Sequence, residues 1–168
     1  MTAFNSPRTT LREEDGKGVV RIDDLFATSA EDLWAALTDP ARLTRWIAIV
    51  TGELKLGGAF TATFTSGWRG PGRIEACEPP RRLLLAMAEG TADASTIEAL
   101  LTPVNGSTRL VIEERGFPLD ELPFHSAGWQ VHVEDLGTHL AGGEPEPWEP
   151  RWKALLPRVQ KEWTESGR

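Results

Sequence analysis

The chain has 168 residues, 40% of them hydrophobic, and a formal net charge of −7 at pH 7. That is the size and composition of one globular domain with a real core, and it excludes a disordered chain. The negative charge argues against nucleic acid or an anionic membrane as a partner. Cys77 is the single cysteine, which excludes an internal disulfide and fits a reducing, cytoplasmic compartment. No signal-peptide core and no apolar run of bilayer length is present, so no membrane insertion is expected.

Met1 to Gly18 is polar, carries an EED cluster, and reads as a flexible N-terminal arm. Val19 to Phe26 alternates apolar and polar, the mark of a half-buried strand. Then AEDLWAALTDPARLTRW, Ala30 to Trp46, spells two short helices in a V. Leu33, Trp34 and Leu37 form one apolar face, and Ser29 is placed to cap the first helix. Asp39-Pro40 ends that helix and opens the next. Strands are expected over Ile47–Leu56, Ala59–Thr65, Trp68–Cys77, Arg82–Ala88, Ala94–Thr102 and Thr108–Arg115, the last two joined by an Asn105-Gly106 hairpin turn. Alternation puts Ile74 and Ala76 opposite Arg73 and Glu75, and leaves Cys77 beside Glu78 on the outward face.

From about Leu122 to Ala141 the period changes, with Trp129, Val133, Leu136 and Leu140 in one stripe before Gly142-Gly143. A sheet with one apolar face needs a cover, and this helix is the element long enough to provide it. The expected fold is α+β: a curved antiparallel sheet of about six to seven strands, two short helices in a V, and a long C-terminal helix gripped over a hydrophobic cavity.

The segments LWAALTDPARLTRW, LKLGG, GRIEACEPPRRL, NGSTRLVIEERGF and the GW at Gly128-Trp129, with Leu136 and Leu140 downstream, carry a family resemblance. In that order, over about Val19 to Leu140, they resemble the START-like (SRPBCC) helix-grip superfamily, and within it the branch named for activators of the heat-shock protein 90 ATPase. The resemblance implies the same sheet, V and C-terminal helix over a hydrophobic pocket. It implies no shared catalytic residue set.

The expected pocket residues are Trp46, Phe60, Phe64, Trp68, Ile74, Met87, Leu110, Ile112, Glu114, Phe117, Trp129 and His132. Glu114 shares a face with Leu110 and Ile112. It reads either as a polar anchor or raised-pKa general base inside the pocket, or as a strand-end carboxylate that reaches water or pairs with an arginine. His125, His132 and His139 are spaced by seven. They fit an acid–base histidine or a metal site with Glu114, or else a boundary stripe between the buried and wet faces of the helix. No histidine pair has the four-residue spacing of a helical metal site, so no metal is expected. No phosphate loop and no nucleophile elbow is present, and no cofactor is expected.

The expected partner is a small hydrophobic or amphipathic molecule held in the cavity. The alternatives are a cyclase- or hydratase-like enzyme using Glu114 and His132, and a chaperone-associated protein-binding module. Glu144 to Arg168 extends past the family pattern. Its prolines at 145, 147 and 150 suggest a linker, and Trp152, Leu155, Leu156, Val159 and Trp163 an amphipathic helix interrupted at Pro157. With Trp148, these side chains are too apolar for water. The extension is expected to pack on the domain surface or, as a homodimer contact, on a second copy of the chain.

Overall fold

The computed structural model describes residues 8–166. The chain order is β1 (Arg8–Glu14), β2 (Lys17–Phe26), α1 (Ala30–Thr38), α2 (Pro40–Leu43), β3 (Ala48–Gly52), β4 (Ala59–Phe64), β5 (Arg69–Glu78), β6 (Arg82–Met87), β7 (Ser95–Val104), β8 (Ser107–Pro118), a 3-10 turn Leu119–Glu121, α3 (Leu122–Leu140) and α4 (Trp148–Glu165). The strands form one eight-stranded sheet in the order β1-β2-β8-β7-β6-β5-β4-β3, each pairing antiparallel. β8 therefore returns beside β2 and closes the chain's longest-range pairing in the middle of the sheet. Asn105 and Gly106 both take positive φ, 49° and 83°, as the two-residue hairpin turn requires.

The V is built as its residues dictate. Ser29 accepts from the Asp32 amide at 3.1 Å, and Asp39 ends α1 and caps α2 by accepting from the Ala41 amide at 3.0 Å. Trp46 locks the V to the sheet: it is 2% exposed and its indole N–H donates to the Ala36 carbonyl at 2.9 Å. α3 buries Leu122, Trp129, Val133 and Leu136 in the core that also holds Val20, Ile22, Leu110 and Ile112. It ends as its glycines suggest: the Gly142 amide donates to His139 and the Gly143 amide to Thr138, with Gly142 at φ 83°.

Three expectations need correction. Residues 8–18 are not a loose arm, because Arg8–Glu14 pairs with β2 over seven residues. What holds this polar edge is charge: Arg12, Arg21 and Arg115 converge on Glu113, which is 8% exposed on the face opposite Glu114. Residues 1–7 lie outside the described residues. Second, the alternation in β5 breaks. Its register with β6 shifts between Ile74 and Ala76, so Glu75 is the extra residue of a bulge, and Cys77 turns inward to line a cavity instead of facing out. Third, Pro157 does not interrupt α4, which is one helix from Trp148 to Glu165.

α4 lies against α3 of the same chain. This explains a second buried stripe on α3, Gly128, His132 and Asp135, that hydrophobic spacing does not reveal. Trp152 packs on Phe124 with ring centroids 6.1 Å apart and donates to its carbonyl at 3.2 Å. Arg151 donates to Asp135 at 2.5 Å, and the Asp135 side chain is 2% exposed. Among the described residues, no helix is long and apolar enough to cross a membrane.

Candidate functional site: two adjoining cavities between sheet and helices

The grip is not filled. An inner cavity of about 300 Å³ lies between the V and the sheet, walled by apolar side chains that include Trp46, Val50, Phe60, Ile74, Leu83, Leu85, Ala99 and Ile112. An outer cavity of about 510 Å³ lies between the sheet, α3 and α4. Phe64, Met87, Ile97 and Trp129 line both. Together they have the size and lining of small-molecule sites.

Ten of the twelve expected pocket residues line one cavity or the other. Trp46, Phe60, Ile74 and Ile112 line the inner one, Trp68, Glu114 and His132 the outer one, and Phe64, Met87 and Trp129 both. Leu110 and Phe117 line neither. Leu110 is fully enclosed in the core, at the end of β8 far from the helix N-terminus, and Phe117 is a platform stacked under the His125 ring at a 4.1 Å centroid distance.

Glu114 sits on the floor of the outer cavity, 7% exposed, inside the pocket as a polar anchor would be, but without the raised pKa expected of a general base. Among the described residues no arginine pairs with it. Its Oε1 meets His125 Nδ1 at 2.7 Å and accepts from the Trp129 indole N–H at 3.0 Å, while its Oε2 accepts from the Ser95 hydroxyl at 2.9 Å. Burial works against its ionisation, but the hydrogen bond and charge of His125, then Trp129 and Ser95, outweigh it and hold the carboxyl below its usual range. His125 is pushed up by the same pair and by Glu121, 3.4 Å from its other nitrogen, against the opposing pull of burial. The expected general base with a raised pKa is thus a buried carboxylate held ionised.

The three histidines do not act together. His125 belongs to Glu114. His139 accepts from the Arg42 guanidinium at 3.1 Å, fastening α3 to the V. His132 is 6% exposed among the rings of Trp148, Trp129 and Phe64, at 5.2, 5.8 and 6.0 Å, and its Nδ1 has no hydrogen-bond partner. Burial pushes its pKa down to about 3, so it is a neutral imidazole at neutral pH. Among the described residues, no group of three or more His, Cys, Asp or Glu is placed to hold a metal ion.

Sequence reasoning missed His125 as the partner of Glu114, and Trp148, Trp152 and Phe124 as cavity walls. The signal for His125 was present: it lies one helical turn before Trp129, and both reach the same carboxylate. The apolar spacing of the extension pointed to packing on the domain, and the tertiary structure alone makes α4 a wall of the cavity. Gly128 shows how closely that wall stands. A Cβ added there would lie 3.5 Å from the Trp148 ring, an ordinary contact. Gly128→Ala is therefore expected to raise stability by about 0.5–1 kcal/mol through helix propensity alone, read as a higher melting temperature.

A family model described as activator of Hsp90 ATPase homolog 1-like protein matches residues 27–141. The chain belongs to this family. The family match covers the V, β3 to β8 and α3; β1, β2 and α4 lie outside it. Among solved structures, the crystal structure of CalU16 from Micromonospora echinospora is 26% identical over 92% of this chain and 99% of CalU16, with a TM-score of 0.74. The solution structure of CalU16 covers both chains fully at 24% identity and a TM-score of 0.80. DynU16, a protein of the dynemicin biosynthetic locus, is 25% identical over 76% of this chain, with a TM-score of 0.69, and the chain spans about half of DynU16's length (48%). No curated protein matches the chain. The fold of this Hsp90-activator-like family member is the START-like helix grip, and its α4 roof extends the region that defines the family.

Proposed function

We propose that the protein binds a small amphipathic molecule across the two cavities, its apolar end in the inner one and its polar end in the outer one. The observation that carries this reading is the pair of spaces itself: a mainly apolar chamber of about 300 Å³ opening past Phe64, Met87, Ile97 and Trp129 towards a larger one floored by Glu114. Apolar burial in the inner chamber drives binding, at about 25 cal/mol per Å² of surface removed from water. The Glu114 network is fully satisfied by Ser95, His125 and Trp129, so it keeps its geometry whether or not a guest is present. Further support comes from the fold, since START-like proteins commonly bind small hydrophobic molecules in the space between sheet and helix.

The test uses a neutral dye, N-phenylnaphthylamine, as the probe. Saturable binding is expected, with a rise in dye emission and quenching of the cavity tryptophans. Ala99→Leu adds bulk to the inner chamber and Gly128→Leu to the outer one. Each is expected to weaken binding about tenfold. No saturable binding by the wild-type protein, or unchanged binding by both variants, refutes the reading.

A further inference from the structure

We propose that the outer cavity selects a cation: a protonated amine carried on an apolar, ring-bearing body. This rests on the binding function above and specifies the class of its ligand. Four carboxylates line the cavity, Asp93, Glu114, Glu121 and Glu149, and no lysine or arginine does. His125 lies between Glu114 and Glu121 and offsets one of these charges. Lys153 meets Glu149 at 2.8 Å but is 66% exposed and forms no part of the wall. The wall therefore remains negative.

Aromatic faces surround the same space. Trp148 and Trp152 are stacked at 5.8 Å, and Phe64 packs against Trp68 at 5.5 Å, with Trp129 between the two groups along α3. A ring face attracts a cation and repels an anion.

His132 is the independent mark of a ligand. It lines the cavity, is 6% exposed, and leaves Nδ1 without a partner. A buried polar atom with no partner is rare in a folded protein and needs a reason. An uncharged imidazole has one donor and one acceptor nitrogen, and with the hydrogen on Nε2 the acceptor is Nδ1. An ammonium group brings the donor that this nitrogen lacks and the charge that the carboxylates attract. A carboxylate guest would face like charges, and a purely apolar one would leave His132 Nδ1 unpaired. The Trp148 indole N–H, also without a partner, is left for an ether or carbonyl oxygen on the same ligand.

The test compares three probes that share one apolar body, naphthylethylamine, naphthylethanol and naphthylacetate, titrated calorimetrically into the full chain at neutral pH. The amine is expected to bind about tenfold tighter than the alcohol, and the carboxylate weakest. In Asp93→Asn/Glu149→Gln, two exposed rim positions, the gap between amine and alcohol is expected to narrow several-fold. An amine no tighter than the alcohol, a carboxylate that binds best, or a gap unchanged in the double variant overturns the proposal and leaves the binding function standing. Absence of binding by all three overturns both.

Discussion

Glu114→Leu is expected to destabilise the fold by about 3–5 kcal/mol, the range for removing one partner of a buried charged network. The loss is large because three groups lose their acceptor at once. The Ser95 hydroxyl, the Trp129 indole N–H and His125 all point at this carboxylate from β7 and α3; the first two would be left buried and unpaired, and His125 would keep only its longer contact with Glu121. Denaturant unfolding measures the effect, and a loss below about 1 kcal/mol would show that these bonds are not holding α3 to the sheet.

The isosteric Glu114→Gln separates charge from shape through pH. Glu114 titrates below its ordinary 4.5 in the fold, so its contribution is present above that value and is lost as pH falls through the lowered one. His125 titrates above its ordinary 6.5, so its contribution is present below that value and is lost as pH rises through the raised one. The stability difference between wild type and Glu114→Gln is therefore expected to be greatest between pH 4.5 and 6.5 and to shrink on both sides. His132, neutral in the fold down to about pH 3 and held that high in part by the Glu114 charge, lowers the stability of both proteins alike between pH 6.5 and about 3, and so drops out of the difference in that range. A difference that does not vary with pH would mean that the pair is not ionised.

Arg151→Met is expected to cost about 3 kcal/mol at neutral pH and to release the roof of the outer cavity. Arg151 is the one α4 side chain that reaches the buried Asp135, and it also donates to the carbonyls of Glu146 and Pro147, bracing the turn into the helix. Without it Asp135 is a buried carboxylate with no cation. Burial already raises the Asp135 pKa against the opposing effect of Arg151. A group with a raised folded pKa favours the fold below its ordinary value and loses that contribution as pH rises through the folded one. The deficit of Arg151→Met is thus expected to be small in acid, where Asp135 takes a proton, and largest at neutral pH. Adding Asp135→Leu is expected to restore most of the loss, because an apolar pair needs no counter-charge. Binding of a cavity probe is a second readout, since α4 carries Trp148 and Trp152. Retained affinity in Arg151→Met would show that α4 is not part of the site.

The local chemistry of the chain was legible from end to end where a rule acts over a few residues. Ser29 and Asp39 cap the V, Asn105-Gly106 turns the hairpin, and Gly142-Gly143 stops α3, because each is a backbone requirement met by its own neighbours. Apolar spacing likewise put Trp129, Val133 and Leu136 on the sheet. Spacing could not show that Cys77 faces inward, because one bulged residue at Glu75 inverts every later position in the strand. Nor could it assign β1, where Arg12 finds its carboxylate on Glu113, a hundred residues later.

The family fold is thus written in the sequence, and the character of the cavity is not. Periodicity reports which face of an element leaves water, and that is enough to wrap a sheet around a helix. Which carboxylate meets which histidine, and how near Trp148 stands to His132, depends on how α4 docks on α3. That docking rests on a buried ion pair and aromatic contacts between residues at least 16 positions apart, and contacts at that range leave no period in the chain.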